Sequence, residues 1–348
     1  MSNNRRPIFQ PNELSNDTVV KMRTRIITAL VAIAIVLPPV LFGDWPFFAL
    51  IVAALIVAVI EIVRCAKTKY SKLLYITSFI LGILVLAWNI FRDIPIMDSS
   101  WRLFDSYNHI YISITILFIG IVLSSLTMIV DKNFTVIDAC FIFTNVIIIA
   151  LGFQSVLFLR YFPSYEYHTS LVMAGKTVPY INSYDNLESC LLLVYILMGA
   201  CLNDAFAYFV GVFFGKHKMN ERVSPKKTWE GFFGGVILTS IFTSGMAFIL
   251  AAVDNGSHAI LKGLLDLNHW YHIIILSTLI PVVSVLGDLV FSSIKRFYGI
   301  KDFSNVLPGH GGVLDRLDSI FFACITAAIY VSIFYDFAGK SSGGIFLP

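Results

Sequence analysis

The chain has 348 residues, of which 57% are hydrophobic and only 14% are charged, and its formal net charge is +3. Soluble domains average about 45–50% apolar and about 25% charged residues. The composition therefore excludes the two soluble domains that the length alone would suggest, and it excludes a disordered chain, a collagen and a coiled coil. The small net charge gives no indication of nucleic-acid binding. What remains is a polytopic membrane protein.

The hydrophobic residues fall into runs that are long enough to span a bilayer as helices, which takes about 20 mostly apolar residues each. A membrane barrel would instead show alternating segments of about ten residues. We therefore predict an all-α fold, a polytopic membrane helical bundle of about nine transmembrane helices. The runs, in chain order, are 24–42, 46–63, 73–90, 110–130, 134–159, 189–214, 231–253, 270–291 and 319–335.

The distribution of cations orients these spans. With the N-terminus in the cytoplasm, 19 of the 25 Lys and Arg residues lie in cytoplasmic segments and 6 lie on the opposite side. Cytoplasmic loops of membrane proteins carry such an excess of Lys and Arg. The asymmetry predicts a cytoplasmic N-terminus, an external C-terminus and an odd number of spans.

The chain divides into regions of different character. Residues 1–23 are predicted to form a cytoplasmic segment, and 24–160 a scaffold of five spans without a recognisable motif. Residues 161–188 are predicted to form a long external loop. The region 189–336 contributes four spans and two polar cytoplasmic loops, and 337–348 form an external tail. No internal repeat is visible, which argues against a transporter built from duplicated halves.

Polar residues interrupt a span in the sequence LNDAFAY. An acid inside a span is costly, so Asp204, beside Asn203, indicates either a functional site or a structural hydrogen bond between helices. Tyr208 lies four residues further on and shares the helix face of Asp204. The small residues Gly211 and Gly215 would let another helix approach closely. Both explanations of Asp204 stay open.

A basic cytoplasmic loop, KHKMNERVSPKKTWEG, precedes the seventh run. The positive-inside rule alone would explain its cations. Within it, Ser224 and Pro225 are predicted to set a turn. Lys226 and Lys227 follow that turn, and Glu230 lies near the start of a helix. Lysines on a turn at a helix N-terminus can hold phosphates, so topology and phosphate binding both remain open.

The segment around the end of the eighth run is the richest in polar residues. Asp288, Ser292 and Lys295 are spaced four and three apart, which places an acid, a hydroxyl and a cation on one helical face. Arg296 and Lys301 follow at the membrane surface, where they could meet an anionic lipid headgroup. Topology alone could also explain these cations.

The sequence LPGHGG follows, and its glycines predict an irregular backbone. Exposed amides in such a loop can surround phosphate oxygens, and the flanking glycines would expose His310. Asp315 and Asp318 then lie on one face at the start of the last span, where acids can also be simple helix caps.

These segments bring acids, cations and a glycine loop to the cytoplasmic face of the membrane. Oxygen ligands without clusters of His or Cys favour Mg²⁺ over zinc, and Mg²⁺ sites use one or two carboxylates together with substrate phosphates. The residues therefore predict phosphoryl or nucleotidyl transfer to a lipid.

Taken together, the motifs resemble those of the phosphatidate cytidylyltransferase (CDP-diacylglycerol synthase) family. The pattern S-x-I-K-R-x4-K-D-x-S-x2-L-P-x-H-G-G-V-x-D-R-L-D runs from Ser292 to Asp318 and resembles the family signature, while NDAFAY and SPKKTWEG resemble its two upstream motifs. Asp288 resembles the bacterial branch. Ser304 stands where the family more usually has Gly. The first 180 residues carry no motif that matches.

The resemblance implies the reaction CTP + phosphatidate → CDP-diacylglycerol + pyrophosphate, in which the lipid phosphate attacks the α-phosphorus of CTP. Catalysis would then consist of positioning and charge neutralisation, without a covalent intermediate. The implied setting is the bacterial plasma membrane, with 189–336 as the catalytic domain and its active face toward the cytoplasm. The implied partners are CTP, phosphatidate and the bilayer but no nucleic acid, and a homodimer stays open.

The resemblance also implies roles for individual residues. The implied metal ligands of a paired Mg²⁺ and K⁺ centre are Asp288 and Asp315, supported by Asp318 and Asp204. The implied catalytic residues are Asp288, Asp315, Lys295, Arg296 and His310. The implied substrate-binding residues are Asn203, Asp204, Ser224, Lys226, Lys227, Lys301, Asp302, Gly311, Gly312 and Arg316.

Two other functions stay open from the sequence. A CTP-dependent lipid kinase that acts on a polyprenol would release CDP rather than pyrophosphate. A transporter that uses the intramembrane acids would need polar residues along a path across the bilayer, whereas the polar residues here cluster at one face.

Overall fold

The computed structural model describes residues 16–66, 70–93, 108–131, 134–173, 183–253, 259–261 and 263–340. Within these ranges the chain forms nine α-helices and one two-stranded antiparallel sheet. The elements are α1 (Asn16–Phe42), α2 (Asp44–Cys65), α3 (Lys72–Asp93), α4 (Asn108–Val130), α5 (Val136–Met173), α6 (Ser183–Phe214), β1 (Lys218–Asn220), β2 (Ser224–Thr228), α7 (Trp229–Ala252), α8 (Trp270–Phe297) and α9 (Leu314–Lys340).

The predicted helical membrane architecture is confirmed, since each predicted apolar run coincides with one helix. Among the described residues, six helices are long and apolar enough to cross a membrane: Trp45–Cys65, Val136–Phe162, Cys190–Phe214, Trp229–Ala252, Trp270–Phe297 and Leu314–Tyr335. Three shorter apolar stretches lie in α1, α3 and α4. Most of the predicted N-terminal segment and most of the predicted tail lie outside the described residues.

The predicted external loop 161–188 begins and ends in helix. Helix α5 continues to Met173, and α6 begins at Ser183. Extending an existing helix adds a hydrogen bond for each residue that is fixed and needs no new nucleus, so a polar segment can continue a long apolar helix.

The hairpin between α6 and α7 was not predicted. Strand β1 pairs with β2 so that Lys218 lies opposite Thr228 and Asn220 opposite Ser224. The turn lies at 221–223, and the expectation that Ser224 and Pro225 set it is wrong. A two-stranded sheet consists only of edges, which tolerate a proline without an N–H group.

Close packing between α6 and α7 holds this hairpin in place. A Cβ atom added to Gly235 of α7 would lie 2.8 Å from Ala207 Cβ of α6, and one added to Gly211 would lie 3.0 Å from Thr228 Oγ1. The prediction that Gly211 and Gly215 allow a close approach is therefore confirmed, because Thr228, the N-cap of α7, packs against both.

Two long-range contacts mark the opposite ends of the bundle. At one end, Arg160 of α5 donates from Nε to the carbonyl oxygen of Val40, near the C-terminus of α1, at 2.8 Å. Helix α2 starts beside that end and runs about 33 Å to the other, at 1.5 Å per residue. There its Glu61 accepts a hydrogen bond from the backbone N–H of Leu314, the first residue of α9, at 2.8 Å.

The substitution Gly235→Ala is expected to lower the free energy of unfolding by about 1–3 kcal/mol, the usual cost of overpacking, because backbone atoms of Ala207 would have to move. Gly245→Ala in the same helix is the control, since its Cβ would meet no atom within 4 Å. Thermal unfolding of the detergent-solubilised variants measures both. Equal midpoints for the two variants would contradict this account of the α6–α7 packing.

Candidate functional site

The four predicted acids come together at the Glu61 end of the bundle. Asp318 interacts electrostatically with Asp288 and Asp204, which lie on α8 and α6. Lys295, near the C-terminus of α8, contacts both Asp315 and Asp318 in the first turns of α9. Three helices thus contribute to one charged cluster.

Lys295 lies at the centre of this cluster. Its Nζ donates to Asp315 Oδ1 at 2.8 Å and lies 3.7 Å from Asp318 Oδ2. The residue is only 7% exposed, and its ammonium group lies 5.3 Å from the centroid of the Phe303 ring. A buried charge is tolerated only when it is paired, so Lys295 and the two acids depend on one another.

Lys227 forms a second pair, with Asp288. The Lys227 ammonium contacts Asp288 Oδ2, and both side chains are about a quarter exposed. Ser292 Oγ donates to Asp288 Oδ1 at 3.3 Å, which confirms that Asp288, Ser292 and Lys295 share a helix face. Lys226, its neighbour in β2, is exposed. The hairpin therefore brings Lys227 to Asp288 and leaves Lys226 exposed.

The glycine loop holds Asp315 from the other side. Asp315 Oδ2 accepts hydrogen bonds from the backbone N–H groups of Phe303 at 2.8 Å and Gly312 at 2.9 Å. The irregular backbone predicted for this loop is confirmed, because Gly309 and Gly311 have φ angles of 75° and 86°. Residues with a Cβ atom rarely adopt such angles. The loop can therefore turn back and direct two amides at a single carboxylate oxygen.

Two of the predicted site residues, Arg316 and Arg296, bind backbone carbonyl oxygens. Arg316 Nε donates to the carbonyl oxygen of His310 at 2.9 Å. Arg296 donates from Nε to the carbonyl oxygen of Val223 at 3.3 Å, and from Nη1 to that of Ile300 at 3.2 Å. Arg316 thus supports the glycine loop, while Arg296 joins the end of α8 to the hairpin turn.

The remaining predicted residues lie in different environments. Asn203 is fully buried, and its Nδ2 donates to Pro281 O and Ser284 Oγ, both at 3.3 Å. Asn203 therefore joins α6 to α8, which is the structural alternative that the sequence left open. Lys301 and Asp302 are exposed, and Ser224 is half-buried at the start of β2. His310 Nδ1 is buried and has no hydrogen-bond partner among the described residues.

Sequence reasoning missed Glu61, which lies in the scaffold helix α2. Its Oε1 accepts hydrogen bonds from Ser304 Oγ at 2.6 Å and from the Val313 N–H at 2.9 Å. Its Oε2 accepts from the Leu314 N–H at 2.8 Å. The signal that could have found it is an acid within the apolar run 46–63, since an acid inside a span is costly.

The charge balance of the cluster bears on metal binding. In the part of the chain that the structure describes, no three His, Cys, Asp or Glu side chains are grouped as a metal site. Lys227 and Lys295 lie between the acids instead. Four aspartates nevertheless face two lysines, so the cluster keeps surplus negative charge on oxygen donors, the ligand type that Mg²⁺ prefers.

Comparison with known proteins identifies the family. The sequence pattern of the cytidylyltransferase family matches residues 23–334. The chain belongs to this family. It is similar to the phosphatidate cytidylyltransferase of Bacillus subtilis (strain 168), with 31% identity over 304 residues, 87% of this chain and 95% of the relative. It is also similar to that of Haemophilus influenzae, with 30% identity over 327 residues, 91% of this chain and 99% of the relative.

The family match extends well beyond the three motifs. It includes α2 with Glu61 as well as α6 to α9, so the scaffold and the charged cluster belong to one family unit. A third relative, the phosphatidate cytidylyltransferase of Staphylococcus haemolyticus (strain JCSC1435), is 28% identical over 86% of this chain.

The substitution Lys295→Met is expected to cost about 3–5 kcal/mol of unfolding free energy, because it leaves the buried carboxylates of Asp315 and Asp318 without their cation. Lys301→Met is the matched control, since an exposed lysine away from special contacts contributes within about 0.5 kcal/mol. Thermal unfolding in detergent without ligands measures both. A wild-type midpoint for Lys295→Met would contradict the assigned pairing.

Proposed function

We propose that the chain is an integral membrane phosphatidate cytidylyltransferase, which converts CTP and phosphatidate to CDP-diacylglycerol and pyrophosphate. Its relatives carry that name and align over 95% or more of their length. The motifs from Ser292 to Asp318 support the same activity. The observation that carries the proposal is the convergence of the Lys227–Asp288 and Lys295–Asp315 pairs at one end of the bundle.

The two lysines suit this reaction because both substrates present phosphates. An incoming phosphate oxygen can replace an aspartate as the partner of Lys227, whose side chain is 25% exposed. Lys295 is more deeply buried and holds Asp315 and Asp318 in the cluster. The aspartate partners of Lys227 and Lys295 hold both cations in position, and such pre-organised charge is a large component of catalysis.

The transfer needs no general base to remove a proton. An oxygen of the phosphatidate phosphate forms a bond to the α-phosphorus of CTP, and the bond from that phosphorus to the bridging oxygen of pyrophosphate breaks. The acceptor is already anionic, so no proton has to be removed, and the leaving pyrophosphate takes the electron pair. The residues therefore act by positioning the two phosphates in line and by neutralising their charge.

Asp288 and Asp315 are the proposed ligands of Mg²⁺, with Asp318 and Asp204 nearby, and the surplus carboxylates leave room for a second cation such as K⁺. A carboxylate oxygen can accept more than one partner, so the existing contacts of Asp288 and Asp315 are compatible with this role. Mg²⁺ would neutralise phosphate charge, and substrate phosphates would complete its coordination.

We further propose nine spans, a cytoplasmic N-terminus and a cytoplasmic active face in the bacterial plasma membrane. The C-termini of α2, α6 and α8 lie at the site end of the bundle, together with the starts of α7 and α9. The exposed cations of the hairpin and of the α8–α9 connection lie at the same end, which the positive-inside rule assigns to the cytoplasm. There, soluble CTP and a lipid headgroup can meet.

The two alternatives are less well supported. A lipid kinase would act on an uncharged alcohol and would need a group to accept its proton, whereas Asp288 and Asp315 in this cluster are already paired with Lys227 and Lys295. A transporter would need acids along the bundle, whereas the four aspartates converge at one end. Release of pyrophosphate rather than CDP, and the absence of ion flux, separate these functions.

Purified protein in detergent with CTP, phosphatidate and Mg²⁺ is expected to form CDP-diacylglycerol and pyrophosphate in equal amounts. Asp315→Ala is expected to lower turnover by at least about 10²-fold, the cost of removing one pre-organised electrostatic group, while the protein stays folded. Asp266→Asn, at the opposite end of α8, is the control and should keep normal turnover. Near-normal turnover by a folded Asp315→Ala variant would sink the proposed role of this acid.

A further inference from the structure

Glu61 connects the motif-free scaffold to the loop between α8 and α9. The residue is 2% exposed and lies four residues before the end of α2. Its three hydrogen bonds reach two separate segments, Ser304 on one side and Val313 with Leu314 on the other. These partners lie about 240–250 residues away along the chain. Glu61 therefore fixes the position of one segment relative to the other.

The same two segments hold Asp315. Phe303 and Gly312 donate their N–H groups to Asp315 Oδ2, and each directly precedes a residue that donates to Glu61. The carboxylates of Glu61 and Asp315 thus bind neighbouring residues in both segments of the α8–α9 connection. Moving the donors bound to Glu61 would also move the donors bound to Asp315.

Gly312 lies close against this arrangement. A Cβ atom at Gly312 would lie 2.6 Å from Glu61 Oε1. The glycine therefore admits the carboxylate to the backbone, while its own N–H group binds Asp315. A side chain at position 312 would force the two acids and the loop apart.

We propose that Glu61 is a positioning residue for the transfer reaction. Its carboxylate sets the relative position of the Phe303 and Gly312 amides, and through them it determines where Asp315 Oδ1 faces Lys295. This inference rests on the proposed function, since it assigns Glu61 a role through Asp315. Glu61 is buried and its three hydrogen bonds all come from the loop, so Glu61 acts on the backbone and not on the substrate.

Glu61 does more than cap helix α9. Capping alone would need only the hydrogen bonds from the amides of Val313 and Leu314. The bond from Ser304 adds the second segment, so Glu61 joins both sides of the loop.

The test compares Glu61→Gln with Asp266→Asn. Gln keeps the size of Glu but replaces one acceptor oxygen with an NH₂ group, which would face a donor of the loop. Asp266 is the matched control, because its carboxylate also accepts two backbone amides before a helix, from Gly263 and His269, both at 2.9 Å. Those amides precede α8 at the end of the bundle that is remote from Asp315.

Both amide variants are expected to unfold at lower temperature than the wild type. Glu61→Gln should also lower kcat by about 10- to 100-fold, since small misplacements of catalytic groups have costs of this order, with the KM for CTP within about twofold. Asp266→Asn should keep kcat. A wild-type kcat in Glu61→Gln, or an equal loss of kcat in both variants, would overturn the positioning role.

Ser304→Ala decides the question if Glu61→Gln does not fold. It removes one of the three hydrogen bonds, so we expect a folded protein with kcat lowered about threefold or more and an unchanged KM for CTP. An unchanged kcat would overturn the proposal. Asp315→Ala distinguishes a failure of the proposed function from a failure of this inference. Turnover by Asp315→Ala would refute the proposed site. An inactive Asp315→Ala beside a fully active Glu61→Gln would refute the positioning role of Glu61 alone.

Discussion

The arrangement of the site depends on the burial of Lys295 between Asp315 and Asp318. Burying a lone ammonium or carboxylate in a helical bundle is strongly unfavourable, and removing one partner of a buried pair costs about 3–5 kcal/mol. Helix α8 must therefore bring Lys295 to the first turns of α9 whenever the protein is folded. This requirement sets the relative position of the two helices and places the glycine loop that connects them.

The remaining elements position charge around this pair. The close contact between α6 and α7 fixes the hairpin, and the hairpin directs Lys227 to Asp288. The amides of Phe303 and Gly312 bind Asp315, and Glu61 accepts a hydrogen bond from Val313 in the same loop. The scaffold thus contributes directly to the geometry of the site. Because lysines and acids neutralise one another, the bundle can keep a densely charged cluster at one end.

Local patterns in the sequence predicted much of this account. The spacing of Asp288, Ser292 and Lys295 placed them on one face. The glycines of LPGHGG indicated an irregular loop with exposed amides for phosphate oxygens, and in the structure the Gly312 amide binds Asp315. The sequence could not separate Asn203 from Asp204, because neighbouring residues of a helix point in different directions and only packing against α8 buries Asn203. It also could not distinguish Lys226 from Lys227, since the hairpin that brings Lys227 to Asp288 and leaves Lys226 exposed was not predicted.

The partners of Glu61 could not be predicted for another reason. Its partners lie about 240–250 residues away, so neither its spacing nor its neighbours indicate the contact. Arg296 and Arg316 show a related limit, because their charge is visible in the sequence but the carbonyl oxygens that these side chains bind are not. Residue type near a motif predicts a charged site, whereas the role of each side chain depends on the backbone around it.

The central claim is that the lysine–aspartate cluster receives the phosphates of the nucleotide. Calorimetric titration of CTP in the presence of Mg²⁺ tests this claim most directly when Lys227→Met is compared with Lys226→Met. The account predicts that Lys227→Met weakens CTP binding by about tenfold or more, the loss expected for a charge-assisted contact of about 1.5–3 kcal/mol, while Lys226→Met has a much smaller effect. Equal affinities for the two variants, or a larger loss in Lys226→Met, would contradict it.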